Sequence, residues 1–316
     1  MGMLVSGVWF DDDPRPADGA GRFVRPDSIF RDRVTRDGSS GFKAAAGRYR
    51  LVTAPSCPWA HRTVLMHKLK RLDGAIPLLE SDLPKGEGWA YSCGFDDLAP
   101  VGGAFHVHQV YTAARPDYTG RATVPVLWDR KTRTIINNES SEIIRMLNAE
   151  FDEFGDIGLD LYPEALRRDI DEINAFVYAN INNGVYRCGL AKSQAAYEES
   201  FRNLFAALDE IEGRLGRQRW LVDDRFTEAD LRLFPTLARF DTVYYVLKCN
   251  RRRLIDYPNL WNYTREIYQM PGVSETVDFP RIRLGYYGGM RHLNNGILPL
   301  GPDLDFAAPH DRARFG

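Results

Sequence analysis

A cysteine followed directly by a proline, at the head of a run with helical spacing, is the most pointed chemical feature of the chain: "TAPSCPWAHRTVL", Thr53 to Leu65. Pro58 suits the first position of a helix, because its missing N–H would have no intrahelical acceptor there. Cys57 then stands at the helix N-terminus, where unpaired amides and the positive end of the macrodipole favour thiolate over thiol and lower the pKa from about 8.5. In a Cys-x-x-Cys pair the second thiol would occupy position 60, which here is Ala60. A mixed disulfide on Cys57 must therefore be resolved by an external thiol or by a distant cysteine, for which Cys93 is the candidate. The competing reading is a small buried hydrophobe.

Two other short stretches carry chemistry. In "TVPVL" the Val124-Pro125 step opens a strand at what reads as a sheet edge facing the Cys57 helix, where proline removes a ladder donor and leaves backbone to pair with a ligand. A cis peptide is open to this bond. In "NES", Asn138 to Ser140, the Glu139 carboxylate and Ser140 hydroxyl sit beside the free amides of a helix start. That set can hold an α-amino and an α-carboxylate group together, or can simply cap the helix.

The elements around these residues follow from periodicity. "GRYRLVTA" alternates as a strand, "PWAHRTVLMHKLKRL" has helical spacing, and "AIPLLESD" resumes strand character, so Cys57 lies at the first junction of a βαβ unit. A polar, Gly-rich insertion over about 83–120 is longer than a connection needs and reads as a functional loop or lid. "TVPVLWD" and "RTIINN" form a hairpin around "RKT", and "ESSEIIRMLNAEF" begins a helix. From Pro163 onward the period is helical almost throughout, with Thr227 and Asp230 spaced as a variant capping box. The expected class is α/β plus all-α: an irregular arm (1–47), a thioredoxin-like domain (48–155), an all-α domain (163–278) and a tail (279–316) packing near the active site.

Composition narrows the partners. The 316 residues are 44% hydrophobic and 27% charged, enough for one large or two modest cores, and the net charge of -2 supplies no field to gather nucleic acid or anionic membrane. The one basic run, "KCNRRRL", reads as a solvated helix end. "MGMLVSGVWFDDDPRP" has no basic region followed by an apolar one, and no apolar stretch is long enough to span a bilayer, so a cytoplasmic protein is expected. The four cysteines have no zinc-ligand spacing, so no metal is implied.

Longer strings resemble one family. "CPWAHRTVLMHKLK", "GWAYS", "YTGRATVPVLWDRKTRTIINNESSEIIRMLN", "NNGVYRCGLA", "TEADLRLF", "RFDTVYY", "IYQMPGVSETV" and "GPDLDF" are similar to the glutathionyl-hydroquinone reductases, the Xi class of glutathione transferases, across nearly the whole chain. The resemblance implies the glutathione transferase fold, glutathione as cosubstrate with no permanently bound cofactor, quinone-derived thiol conjugates as substrates, and a homodimer. It implies Cys57 as nucleophile and Tyr186 as proton donor or acceptor, with Tyr244 and Tyr286 assisting in the substrate pocket. It implies glutathione binding by Trp89, by Arg121, Ala122, Thr123 and Val124, and by Glu139 and Ser140. Gly285, Gly289 and Met290 in "GYYGGMRHLNNG" stand where the family has polar groups, which implies a looser hydroquinone end or another acceptor. The alternatives are a glutaredoxin-like thiol transferase or dehydroascorbate reductase, a reductase using another low-molecular-weight thiol, a conjugating transferase, and a non-enzymatic scaffold.

Overall fold

The structure is a computed structural model and describes every residue except 1, 12–16, 82, 85, 93–104 and 290–293. Two compact units divide the chain. The first comprises Met1–Pro14, Asp27–Leu159 and Asp278–Leu298, the second Arg15–Pro26, Asp160–Val277 and Pro299–Gly316.

The first unit is thioredoxin-like. β1 (Met3–Val5) and β2 (Val8–Phe10) pair antiparallel within the expected arm, with Ser6 and Gly7 at positive φ between them. β3 (Tyr49–Thr53) leads into α1 (Pro58–Leu69) and then the parallel strand β4 (Leu78–Glu80). Four of the five β3 residues are buried, the near-continuous pattern of a strand covered on both faces. The expected insertion carries its own structure. β5 (Leu83–Pro84), β6 (Trp89–Tyr91) and β7 (Phe105–His106) form a small sheet, and α2 (Val107–Ala114) follows at once. β8 (Val126–Asp129) and β9 (Thr134–Asn137) form the hairpin, and α3 (Ser140–Ala149) closes the domain.

The main sheet runs β4-β3-β8-β9. β8 is therefore an interior strand, which corrects the expected sheet edge at Pro125. The ladder with β3 ends at Val52–Val126, so Pro125 stands just beyond it and costs the sheet no bond. The arm adds to the far edge: Asn138 N donates to the Phe30 carbonyl at 3.1 Å, and Arg31 bridges Asn137.

The second unit is helical: α4 (Arg167–Val177), α5 (Gly184–Gly189), α6 (Gln194–Leu215), α7 (Glu228–Arg239) and α8 (Pro258–Tyr268). The capping box at α7 is present, with Thr227 N and Oγ1 both donating to Asp230 at 2.8 and 3.0 Å. The basic run is a loop in which Arg251 and Arg252 pair with Asp209. Among the described residues no helix is long and apolar enough to cross a membrane.

Candidate active site

Cys57 is the N-cap of α1 and Pro58 its first residue, the arrangement expected from "SCPW". The chain enters in extended conformation at Cys57 (φ -80, ψ 116), and its side chain makes no capping hydrogen bond to the first turn. Instead Sγ donates to the Val124 carbonyl at 3.5 Å, across the cis Val124-Pro125 bond from β8. Cys57, Trp89 and Ala122 are partly buried and pack on one apolar cluster that includes Val124, Tyr91, Tyr111 and Tyr118. Residues 57, 89 and 121–124 are thus drawn to one place from α1, β6 and the segment before β8.

Glu139 is the N-cap of α3 and accepts from Ser141 N at 3.1 Å and Ser141 Oγ at 2.9 Å, while Ser140 Oγ donates to it at 3.5 Å. The arm supplies Ser28 Oγ to its other oxygen at 3.0 Å. Burial opposes ionisation of Glu139, but the Ser141 amide and hydroxyl, the Ser28 hydroxyl and the Arg62 charge outweigh it and hold the carboxyl below its usual range. An anionic carboxylate at this position suits a ligand ammonium group.

Tyr286 is buried in a π-helical turn, Leu284–Gly288, that follows α9 (Phe279–Arg283) in the first unit. A Cβ on Gly285 in that turn would lie 2.3 Å from both Cβ and Oγ of Ser56. The space at Gly285 is therefore taken by the residue preceding Cys57, and it is not the opening of a looser pocket. Met290 and Cys93 lie outside the described residues.

In the second unit Tyr186 on α5 and Tyr244 stack edge to face, with ring centroids 5.8 Å apart. The arm contributes again, placing the Arg25 guanidinium 4.9 Å over the Tyr186 ring while its Nε donates to Asn183 at 3.0 Å. π-helical turns at Tyr178–Asn182 and Phe240–Tyr244 adjoin these tyrosines, as π-bulges commonly do at functional positions. Cys188 and Cys249 are buried, each thiol facing a backbone carbonyl at 3.7 Å.

Glu87, His106 and His108 bring ligand atoms within 4.8 Å of one another. The two rings lie nearly parallel with centroids 5.6 Å apart, and His108 Nε2 stands 2.8 Å from a Glu87 carboxylate oxygen.

Residues 56–150 match the glutathione S-transferase N-terminal domain and 194–266 its C-terminal domain. Glutathionyl-hydroquinone reductase PcpF of Sphingobium chlorophenolicum is 47% identical over 96% of each chain. The chain belongs to that family, the Xi-class glutathione transferases. Two solved structures of the class agree in fold. The glutathione-bound structure of YqjG, a glutathione transferase homologue from Escherichia coli K-12, superposes with a TM-score of 0.88 at 42% identity over 99% of both chains. The Xi-class enzyme of Natrialba magadii gives 0.90 at 42% identity, over 99% of this chain and 97% of that one.

Against this family background, the residues that sequence reasoning did not single out are those that support the site: Ser28, Arg25, Tyr111 and Tyr118. The i, i+3, i+4 spacing of Val107, Val110 and Tyr111 was the available signal for α2. Nothing local marks Ser28 or Arg25, whose partners lie 111 and 158 positions away.

Proposed function

We propose that this chain reduces glutathionyl-hydroquinones to free hydroquinones at the expense of glutathione, with Cys57 as the nucleophile. The Cys57 thiolate attacks the sulfur that joins glutathione to the ring, so that a disulfide forms and the carbon–sulfur bond breaks. The electron pair of the broken bond goes to the ring carbon, which takes a proton from Tyr186, and the hydroquinone leaves. A second glutathione attacks the mixed disulfide, releases glutathione disulfide, frees Cys57 and returns a proton to Tyr186. Atoms and electrons then balance as conjugate plus glutathione giving hydroquinone plus glutathione disulfide.

The observation that carries this reading is Cys57 at the N-cap of α1, facing the Val124 carbonyl, with Ala60 where the second thiol of a Cys-x-x-Cys pair would stand. Glu139 and Ser140 suit the γ-glutamyl end, and Arg121 to Val124 with Trp89 suit the rest of the tripeptide. The glutathione bound in the structure of the homologue YqjG supports the same thiol. Tyr244 and Tyr286 serve as assisting phenols. A homodimer and a cytoplasmic location complete the proposal, the latter favoured by the free thiols of Cys57, Cys188 and Cys249.

Steady-state turnover of a glutathionyl-menadiol conjugate, with mass spectrometry of the enzyme, tests the reading. Wild type carries one glutathionyl adduct on Cys57 when the second thiol is limiting. Cys57→Ser carries none and loses roughly a thousandfold or more in kcat. Tyr186→Phe loses on the order of a hundredfold while still accepting the adduct from glutathione disulfide. Full turnover by Cys57→Ser would end the proposal, and turnover only with another low-molecular-weight thiol would transfer it to that cosubstrate.

A further inference from the structure

Among the described residues no strand pairs with residues 121–124, yet a ligand that pairs with this backbone needs it held still. Three groups hold it, all from within the first unit. Gly120 exchanges both backbone bonds with Leu4 of β1, at 2.9 Å each. The Tyr118 hydroxyl donates to the Arg121 carbonyl at 3.1 Å. The Tyr111 hydroxyl, on α2, donates to the Thr123 carbonyl at 2.8 Å and accepts from the Thr123 amide at 3.2 Å. One phenol thus meets both polar groups of a single residue, as a neighbouring strand would.

The N–H and C=O of Thr123 and the carbonyl of Val124 belong to successive residues of one short segment, which bends at Val124 before β8 begins. Thr123 turns its pair to Tyr111, and the Val124 carbonyl turns to Cys57 Sγ. The clamp and the thiol thus engage adjacent residues of the same segment. We propose that Tyr111 and Tyr118 are positioning residues, whose hydroxyls take the place of a strand along Arg121 to Thr123 and so present the Val124 backbone to the thiol substrate beside Cys57. This rests on the reading of residues 121–124 as the glutathione-binding edge.

Other features of the pair fit a permanent clamp. The rings lie 5.0 Å apart in the core, and both residues are almost wholly buried. Asn138 Nδ2 donates to the Tyr111 hydroxyl at 3.1 Å, and Asn138 Oδ1 accepts from Phe30 N at 3.1 Å, which links the clamp to the arm. Burial pushes the ionisation of both phenols upward, so both keep their protons to donate across the neutral range.

Glutathione binding to the full chain, by calorimetry on Tyr111→Phe and Tyr118→Phe, tests the proposal. Phenylalanine keeps the ring in the core and removes only the hydroxyl. The dissociation constant is expected to rise about tenfold for Tyr111→Phe, which loses both Thr123 bonds, and about threefold for Tyr118→Phe. A purely structural role would lower the melting temperature and leave the affinity of the folded protein unchanged. Values within twofold of wild type for both variants overturn the proposal. Amide exchange in the wild type gives a second measurement that needs no variant to fold. The Thr123 amide is expected to be protected without glutathione, and the Val124 amide to gain protection when it is added. A Thr123 amide exchanging at the free-peptide rate overturns the clamp. Wild type that binds no glutathione overturns the reading of the edge and the proposal with it, whereas normal wild-type binding beside unaffected variants overturns the proposal alone.

Discussion

Cys57 draws its chemistry from a single backbone decision, the start of α1 at Pro58, and the residue before it shows how closely that junction is packed. Gly285 approaches Ser56 so nearly that even a methyl group would overlap it by more than an ångström against ordinary contact. Gly285→Ala is expected to displace Ser56 and with it Cys57, lowering kcat/KM for the conjugate about tenfold and costing roughly 1–3 kcal/mol in stability. Ser56→Gly in the same chain removes both atoms the new methyl would meet, so the double variant should recover most of the activity. If the double variant is as impaired as Gly285→Ala alone, the contact is not the cause. Family resemblance marks Gly285 as a departure; only the approach to Ser56 shows that the backbone there has no room for a side chain.

Elements are placed by capping groups as much as by apolar faces, and α7 shows the cost. Asp230 is fully buried and accepts from Leu221 N, Thr227 N, Thr227 Oγ1 and the Tyr263 hydroxyl at 2.8–3.0 Å. Burial nevertheless wins over these donors and pushes its pKa from 3.8 up to about 6. Because the folded chain holds this proton more tightly than the unfolded one, stability from this group is greatest below pH 4. It falls as pH rises through the window between 3.8 and about 6, by about 3 kcal/mol, and is constant above it. Urea unfolding at pH 4, 5, 6 and 7 should show this fall in wild type and its absence in Asp230→Asn, whose overall stability is lower because an amide cannot accept all four bonds. Equal pH slopes in the two proteins would contradict the assignment. At the same scale, the capping pattern of α7, the βαβ order and the β8–β9 hairpin were all legible in the sequence, since each depends on neighbours within a turn or a strand. The length of the 83–120 insertion was legible too, but α2 was not recognised within it, because eight residues hold too few turns for the period to stand out from a polar, Gly-rich surround.

For the whole molecule, the arm and tail are where the sequence says least. The arm reads as one irregular segment, yet Met1–Pro14 and the residues from Asp27 belong to the first unit and Arg15–Pro26 to the second. The tail divides likewise after Leu298, and its last turn is pinned in the second unit by Arg312, whose buried guanidinium donates to the carbonyls of Leu215, Gln218 and Arg219 at 2.6–2.7 Å. The proposed homodimer belongs to this scale as well: light scattering of the full chain should give twice the chain mass at micromolar concentration, and a mass equal to one chain would remove it from the proposal. The sequence by itself determined the cysteine at a helix start, the absence of a second thiol at position 60, the two architectural classes and, through long motif strings, the family. Each is written in residues adjacent in the chain, where spacing alone carries the physics. The tertiary structure decided that β8 is interior, that Gly285 abuts Ser56, that Ser28 meets Glu139, and that Tyr111 and Tyr118 grip the segment before Pro125. Those contacts depend on polar groups and backbone brought together by collapse of the core, and apart from Tyr118, so near the segment it holds, their partners are too far apart in sequence for any period to record them.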